Sequence, residues 1–454
     1  MATRVPQAPR RFMKQQIPDS ILNDPALKAA ISVLPSNYNL EIHKTVWRIK
    51  QAGAKRVALQ FPEGLLMYSL TICDILETFA DVEECFVLGD VTYGACCVDD
   101  YSAVSLGAEF LVHYGHSCLV PVDYSQIPCL YVFVDIQIDL QHFVETLKVN
   151  ISQGQKLALA GTIQFCTAVH AAKAALKDFF SEVIVPQAKP LSAGEVLGCT
   201  APAIPADVDT AVFVADGRFH LEAFIIANPN VKVFRYDPYS RVLTMEEYDH
   251  KGMRASRRRA IEQARQGRNW GIILGTLGRQ GNPKVLSHIE KRLSARAVSY
   301  TVFLMSEISP TKIGLFEDAV DAWVQIACPR LSIDWGDAFA RPLLTPYEAE
   351  VALGFVEPSW MRGERSGSDQ NNERIVRTSD RSDIRSSYQQ LGTESSSTGR
   401  SPNTVGDSVD KDSNIAGTYP MDYYARGGGP WNAVYSQKIG IQGQHSISAS
   451  STSS

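Results

Sequence analysis

The chain has 454 residues, 45 % of them apolar, and a formal net charge of −5. That length holds a few domains of ~100 to 200 residues each, and the lack of a basic excess argues against direct contact with nucleic acid. No run reaches the ~18 apolar residues of a membrane span: the longest uncharged stretch, 157–172, is interrupted by Thr162, Gln164 and His170, so no membrane association is expected.

The opening MATRVPQAPRRFMKQQIP has basic residues and three prolines but no apolar core, which reads as a cytoplasmic chain without a secretory signal. Short apolar, β-rich runs follow: RVALQF (56–61), ECFVLG (84–89), EFLVHY (109–114) and LYVFVDI (130–136). Continuous rather than alternating, they predict buried parallel strands. The rhythm restarts at KLALAG (156–161), VIVPQ (183–187), TAVFVAD (210–216) and VKVFRYD (231–237), and again at WGIILGT (270–276), YTVFLMS (300–306) and DAWVQIA (321–327).

A repeat of this size is a small α/β domain rather than a solenoid unit. The expected fold class is therefore α/β: three repeated small domains with mainly parallel sheets around a pseudo-threefold centre. The reading gives an N-terminal arm at 1–39, repeats at 40–150, 151–265 and 266–360, and a tail from 361 to 454. The one dense basic run, RASRRRAIEQARQGR (254–268), places Ala260, Ile261 and Ala264 on one helical side and predicts a solvated face on the other. From 363 to 418 there is no Phe, Trp or Cys but abundant Ser, Asp, Asn, Arg and Gly, the composition of a disordered tail. Within that tail YPMDYYARGGGPWNAVY (419–435) is an aromatic island, a linear segment expected to dock on this chain or on a partner.

Nine cysteines, an odd number in a reducing compartment, make a disulfide scaffold improbable. Cys73, Cys85, Cys129 and Cys166 sit in apolar periodic segments and read as small hydrophobes. Three of the rest occupy loops with small or special neighbours, one per repeat: Gly94-Ala95-Cys96, Gly198-Cys199-Thr200 and Cys328-Pro329-Arg330. None lies in a C-x-x-C, so a zinc ribbon is absent, and so is the iron-sulfur loop of the standard radical enzymes. Three thiolates meeting between three domains would suit a [4Fe-4S] cluster with one iron open to substrate. By spacing alone, ordinary buried cysteines account for the trio as well. His113, His116 and Cys118 have a spacing that allows zinc, though at a strand end where two side chains would have to fold back.

The runs GDVTYGACCVDD, LVHYGHSCLVP, VLGCTAP, ADGRFHLEA, SEISPTKI, VDAWVQIACPRLSIDWG and PLLTPYEAEVALG resemble the diphthamide synthesis enzymes over roughly residues 40 to 360. The resemblance implies an atypical radical S-adenosylmethionine enzyme whose three cysteines hold a [4Fe-4S] cluster. By motif these fall on Cys96, Cys199 and Cys328, with Cys97 set aside because adjacent thiolates point apart. It also implies transfer of the 3-amino-3-carboxypropyl group of S-adenosylmethionine to C2 of a histidine in translation elongation factor 2. The implied partners are a subunit 2 paralogue, which lacks the full trio, and a small iron-bearing electron donor.

Candidate substrate contacts lie at strand ends, where open α/β sheets bind ligands: Gly115 and His116, the turn Asp216-Gly217-Arg218, and Gly278 and Arg279. Either arginine suits the substrate carboxylate, and each also fits a structural ion pair. The G-x-x-G-x-x-G at 275–281 is not the dinucleotide fingerprint. Trp335, after the third cysteine, is a candidate shield against water. Two rivals remain: a non-catalytic scaffold presenting elongation factor 2 to a catalytic partner, and a nucleotide-dependent enzyme, which the lack of a P-loop weakens.

Overall fold

The computed structural model describes residues 16–90, 92–361 and 417–435. Most of the expected tail and the first part of the N-terminal arm lie outside the described residues. The chain divides into two compact units: one runs to Phe355 and resumes at Pro420, the other is Val356–Tyr419. Among the described residues of the smaller unit, Ser359–Met361 form one 3-10 turn and Trp360 packs against Tyr419, ring centres 5.5 Å apart.

The fold of the larger unit is α/β, built on three principal sheets. The first contains β1 (Arg56–Gln60), β2 (Glu84–Val87), β3 (Phe110–Tyr114) and β4 (Cys129–Val132). The second contains β5 (Lys156–Gly161), β6 (Glu182–Ile184), β7 (Thr210–Val214), β8 (Lys232–Asp237) and β9 (Val242–Glu246). The third contains β10 (Asn269–Gly275), β11 (Ser299–Met305), β12 (Ala322–Ile326) and β13 (Leu343–Leu344). In each sheet the second strand lies outside the first, and the third and fourth lie on the first strand's other side, so one order, 2-1-3-4, occurs three times. All neighbours pair in parallel except β9, a short-range antiparallel addition to β8.

The reason is burial on both faces. Val57, Ala58 and Leu59 in β1, Leu157 to Ala160 in β5 and Ile272 and Ile273 in β10 are fully inaccessible, and such strands favour β-branched and aliphatic residues without alternation. Each sheet has its own core: Val57, Leu59, Ile72, Leu76 and Val112; Leu157, Leu159, Val169, Leu176 and Val212; Ile273, Trp323 and Leu343. Helix starts follow the sequence signals. Asp24 caps Pro25–Ile31 through the Ala26 amide, 2.8 Å, and Thr345 and Glu348 form a capping box on Pro346–Ala352.

The described part of the N-terminal arm is not a free arm. Leu27 and Leu34 are buried in the first sheet's core, and Tyr38–Asn39 pairs antiparallel with Asp135–Ile136. The basic run also differs from the solvated face expected. Ala260, Ile261 and Ala264 turn inward on the helix His250–Ala264, but Arg257 goes with them. Its guanidinium is buried against Glu348 (2.7 and 2.8 Å) and against the Ser332 and Leu343 carbonyls.

Candidate metal centre

Each candidate cysteine sits in a loop beyond the carboxyl end of a strand, held there by buried polar groups. Gln60, the last residue of β1, donates from Nε2 to the Cys97 carbonyl (2.8 Å) and accepts the Asp99 amide at Oε1 (3.2 Å). His113 on β3 donates from Nδ1 to the same Oε1, 2.8 Å. In the third sheet Gln325 on β12 donates to the Cys328 carbonyl (2.9 Å) and accepts the Ala327 amide (2.9 Å). The Cys199 turn closes on itself through reciprocal Leu197 and Thr200 backbone bonds, and the Thr200 hydroxyl donates to the Cys199 sulfur, 3.7 Å. These glutamines escaped the sequence reading. Their signal was a lone amide in an otherwise apolar strand, RVALQF and WVQIA.

The structure brings the three thiols together. Each is only partly buried, and they stand close enough that a charge on one is felt by the others. Burial, then the Cys328 and Cys96 charges, holds the Cys199 thiol well above its ordinary value. Burial, then Cys96, pushes Cys328 up to about 12. Cys96 is raised first by its bond to Cys97, next by burial, and is pulled back by the Tyr424 hydroxyl. Cys96 and Cys97 do not point apart, since their sulfurs are 3.8 Å from one another. What separates them is burial and reach, because Cys97 is 1 % accessible and Cys96 half-buried, and it is the charge of Cys96 that Cys199 and Cys328 feel.

The three positions are not topologically equivalent. Cys96 and Cys199 lie between the second and third strands of their sheets, whereas Cys328 lies between the third and fourth.

Three histidines gather at the carboxyl ends of β3 and β7. The rings of His113 and His116 are 5.3 Å apart, and burial lowers both, His116 to about 4. His220 is also held at about 4, by burial and then by His116 and Arg330. The His116 Nδ1, His220 Nδ1 and His113 Nε2 atoms are buried and have no hydrogen-bond partner. Cys118 is exposed, its sulfur near the Val120 carbonyl, so it does not join His113 and His116.

Among the other candidates, Gly115, Arg218, Gly278 and Arg279 have structural occupations. Gly115, at φ +80°, leaves room for the Pro62 ring, which a Cβ would approach to 2.8 Å. Asp216, Gly217 and Arg218 form an exposed turn, with Arg218 paired to Glu246 and Glu222. Gly278, at φ +53°, packs where a Cβ would stand 2.5 Å from the Cys97 carbonyl. Arg279 forks onto the fully buried Asp100 (2.7 and 2.6 Å) and lies over the Tyr101 ring. Trp335 is 64 % exposed. Its neighbour Asp334 pairs with the buried Arg330 (2.8 Å), which also reaches Glu222 and the Phe219 carbonyl (2.5 Å each).

No three His, Cys, Asp or Glu side chains among the described residues stand at single-ion spacing. A cuboidal cluster does not need that, because each thiolate holds a different iron. Three sulfurs that disfavour ionisation in each other's company fit a strongly cationic guest, which turns coordinating thiols into thiolates.

A family model described as diphthamide synthesis protein matches residues 61–365. Among named relatives, 2-(3-amino-3-carboxypropyl)histidine synthase subunit 1 of Dictyostelium discoideum is 59 % identical over 350 residues, 75 % of this chain and 74 % of the relative. The Homo sapiens protein of that name is 58 % identical over 358 residues, 78 % and 81 % of the two chains. Two solved structures of Dph2 from Pyrococcus horikoshii, one with a 4Fe-4S cluster, superpose with a TM-score of 0.59 at 28 % identity, covering 70 % of this chain and 92 % of that one. With two thirds of its length matched by the model and relatives this similar, the chain belongs to the diphthamide synthesis protein family.

Proposed function

We propose that this chain is a catalytic subunit that transfers the 3-amino-3-carboxypropyl group of S-adenosylmethionine to C2 of a histidine in translation elongation factor 2, the first step of diphthamide synthesis. The observation that carries the reading is that Cys96, Cys199 and Cys328, one from the loops of each sheet, lie within electrostatic reach of one another. The names of the relatives and the cluster in the Pyrococcus horikoshii structure support it.

The three sulfurs would hold a [4Fe-4S] cluster, whose fourth iron lacks a protein sulfur. When bound, such a cluster supplies a low-potential electron for sulfonium cleavage. In the net reaction the carbon–sulfur bond of the carboxypropyl group breaks and a carbon–carbon bond to the imidazole forms. The C2 proton leaves, methylthioadenosine is released, and the electron lent at cleavage is returned.

The protein's part is orientation, since a sulfonium has three carbon–sulfur bonds and one must face the site. His116 and His220, neutral at physiological pH, add no positive charge to repel a cationic substrate. His116 is the substrate contact the reading retains, with a buried ring nitrogen free to bond a guest. A subunit 2 paralogue is the proposed partner, and a small iron-bearing protein, fed from NADH, the proposed reductant.

Anaerobic iron and sulfide analysis of the chain co-expressed with a subunit 2 relative tests this, together with electron paramagnetic resonance of the dithionite-reduced protein. The expected result is about four irons, a reduced signal that changes on adding S-adenosylmethionine, and loss of iron and product in Cys96→Ser, Cys199→Ser and Cys328→Ser but not in Cys97→Ser. Full iron and product in all three serine variants would leave only the scaffold reading.

A further inference from the structure

The segment from Pro420 to Tyr435 lies outside the region that the family model matches, yet it is bonded to the loops that carry the thiols. Its strand-like start runs antiparallel to the Cys199 turn. Asp422 bridges to Thr200, the Ala201 amide donates to the Met421 carbonyl (2.8 Å), and the Tyr423 amide donates to the Cys199 carbonyl (3.2 Å). The Tyr424 amide reaches the Thr200 hydroxyl, 2.9 Å, and the Arg426 amide the Lys189 carbonyl, 2.6 Å.

The far end fastens to the other two sheets. Asn282 donates to the Ala433 carbonyl (2.9 Å) and the Tyr435 hydroxyl to the Arg279 carbonyl (2.8 Å). The Tyr435 ring meets Tyr124 edge-on at 5.2 Å, and Trp431 meets Tyr347 at 4.8 Å. A latch inside the segment, Trp431 Nε1 to Asp422 (2.9 Å) and the Ala433 amide to the Tyr423 carbonyl (2.7 Å), keeps it folded.

Tyr423 and Tyr424 are 4 % and 2 % exposed. Both hydroxyls are buried without an ordinary partner, a cost that a guest able to bond them would remove. Both phenols feel the charges of Cys96 and Cys199, and Tyr423 that of Cys328 as well. The Tyr424 hydroxyl pulls the Cys96 thiol down, and the Tyr424 amide is fixed on the same Thr200 hydroxyl that donates to the Cys199 sulfur.

We propose that Pro420–Tyr435 is the closing wall of the three-thiol chamber, with the Tyr424 hydroxyl donating to the Cys96 sulfur and the Tyr423 hydroxyl facing the guest. The Tyr424 part rests on the functional reading above, because only a cluster-ligating sulfur gives that bond a redox consequence. A hydrogen bond to such a sulfur stabilises the more negative, reduced cluster and raises its potential. Tyr424 is thus a positioning residue acting through Cys96.

Two measurements test it. In the apo full-length chain, iodoacetamide labelling of Cys96, Cys199 and Cys328 is followed by mass spectrometry, with exposed Cys118 as internal control. Trp431→Ala, which cuts the latch, is expected to speed labelling of the three severalfold and leave Cys118 unchanged. Equal rates overturn the wall. In the reconstituted protein, Tyr424→Phe is expected to keep its iron and to shift the cluster midpoint to lower potential. An unchanged midpoint overturns the Tyr424 bond. A chain that protects its thiols but loads no iron overturns the functional reading, and the Tyr424 role with it, while the wall stands.

Discussion

Cys96 and Cys97 are neighbours with the same side chain, and only the partly exposed one reaches the chamber. The motif pointed to Cys96, but the geometric reason given for it, divergent side chains, does not hold with sulfurs 3.8 Å apart. The same limit applied to Arg218 and Arg279, whose positions at strand ends were legible while their partners, Glu246 and Asp100, were not. A partner that far along the chain leaves no local trace. The neutral, buried histidines make a pH prediction. His116 and His220 fall from an ordinary 6.5 to about 4 in the fold, so between those values the unfolded chain binds more protons. Their contribution is favourable above pH 6.5 and is lost as the pH falls toward 4. At pH 5 the loss reaches up to ~2 kcal/mol for each, read as a lower urea midpoint than at pH 7. His116→Asn with His220→Asn is expected to flatten that slope, and parallel slopes would assign the acid sensitivity elsewhere.

At the scale of elements, the eleven apolar runs all contain strands; the central ones, buried on both faces, declare themselves in composition, while β11 is apolar although largely exposed. β9, whose exposed Val242 and Met245 and buried Glu246 invert the usual pattern, did not declare itself, and β13 is only two residues long. The basic helix His250–Ala264 shows the opposite failure. Its apolar side was legible, but Arg257, one arginine in a run of them, carries no mark of burial. Side chains 1 % and 0 % exposed make Arg257 and Glu348 a desolvated pair, so Arg257→Ala strands a buried carboxylate and is expected to cost ~3–5 kcal/mol. Urea unfolding checks it: the single variant falls by that amount, and Arg257→Met with Glu348→Met recovers most of it. A small effect in the single variant would mean that Glu348 finds water.

For the whole molecule, three sheets of one strand order are tied together next to the cysteines. Arg279 joins the third sheet's loop to Asp100 and the Tyr124 carbonyl beside the first cysteine loop (2.6 to 2.8 Å). Arg330 joins the third cysteine's helix to Glu222 and Phe219 beyond β7. Arg279→Ala is therefore expected to destabilise by roughly 3–5 kcal/mol and to lower iron content with every cysteine present. Arg279→Lys should recover only part, having lost the fork. A raised KM for S-adenosylmethionine at unchanged stability would instead place Arg279 on the substrate.

The order of the pieces along the chain has a consequence in time. Chains fold from the N-terminal side as they are made, at about 5–20 residues per second. Cys96, Cys199 and Cys328 all leave the ribosome before Pro420 to Tyr435 does. During that interval the three sheets have what they need to fold, while the side of the chamber that Tyr423 and Tyr424 later cover stands open to solvent. The segment that covers the thiols in the finished fold is thus the last of their surroundings to be made.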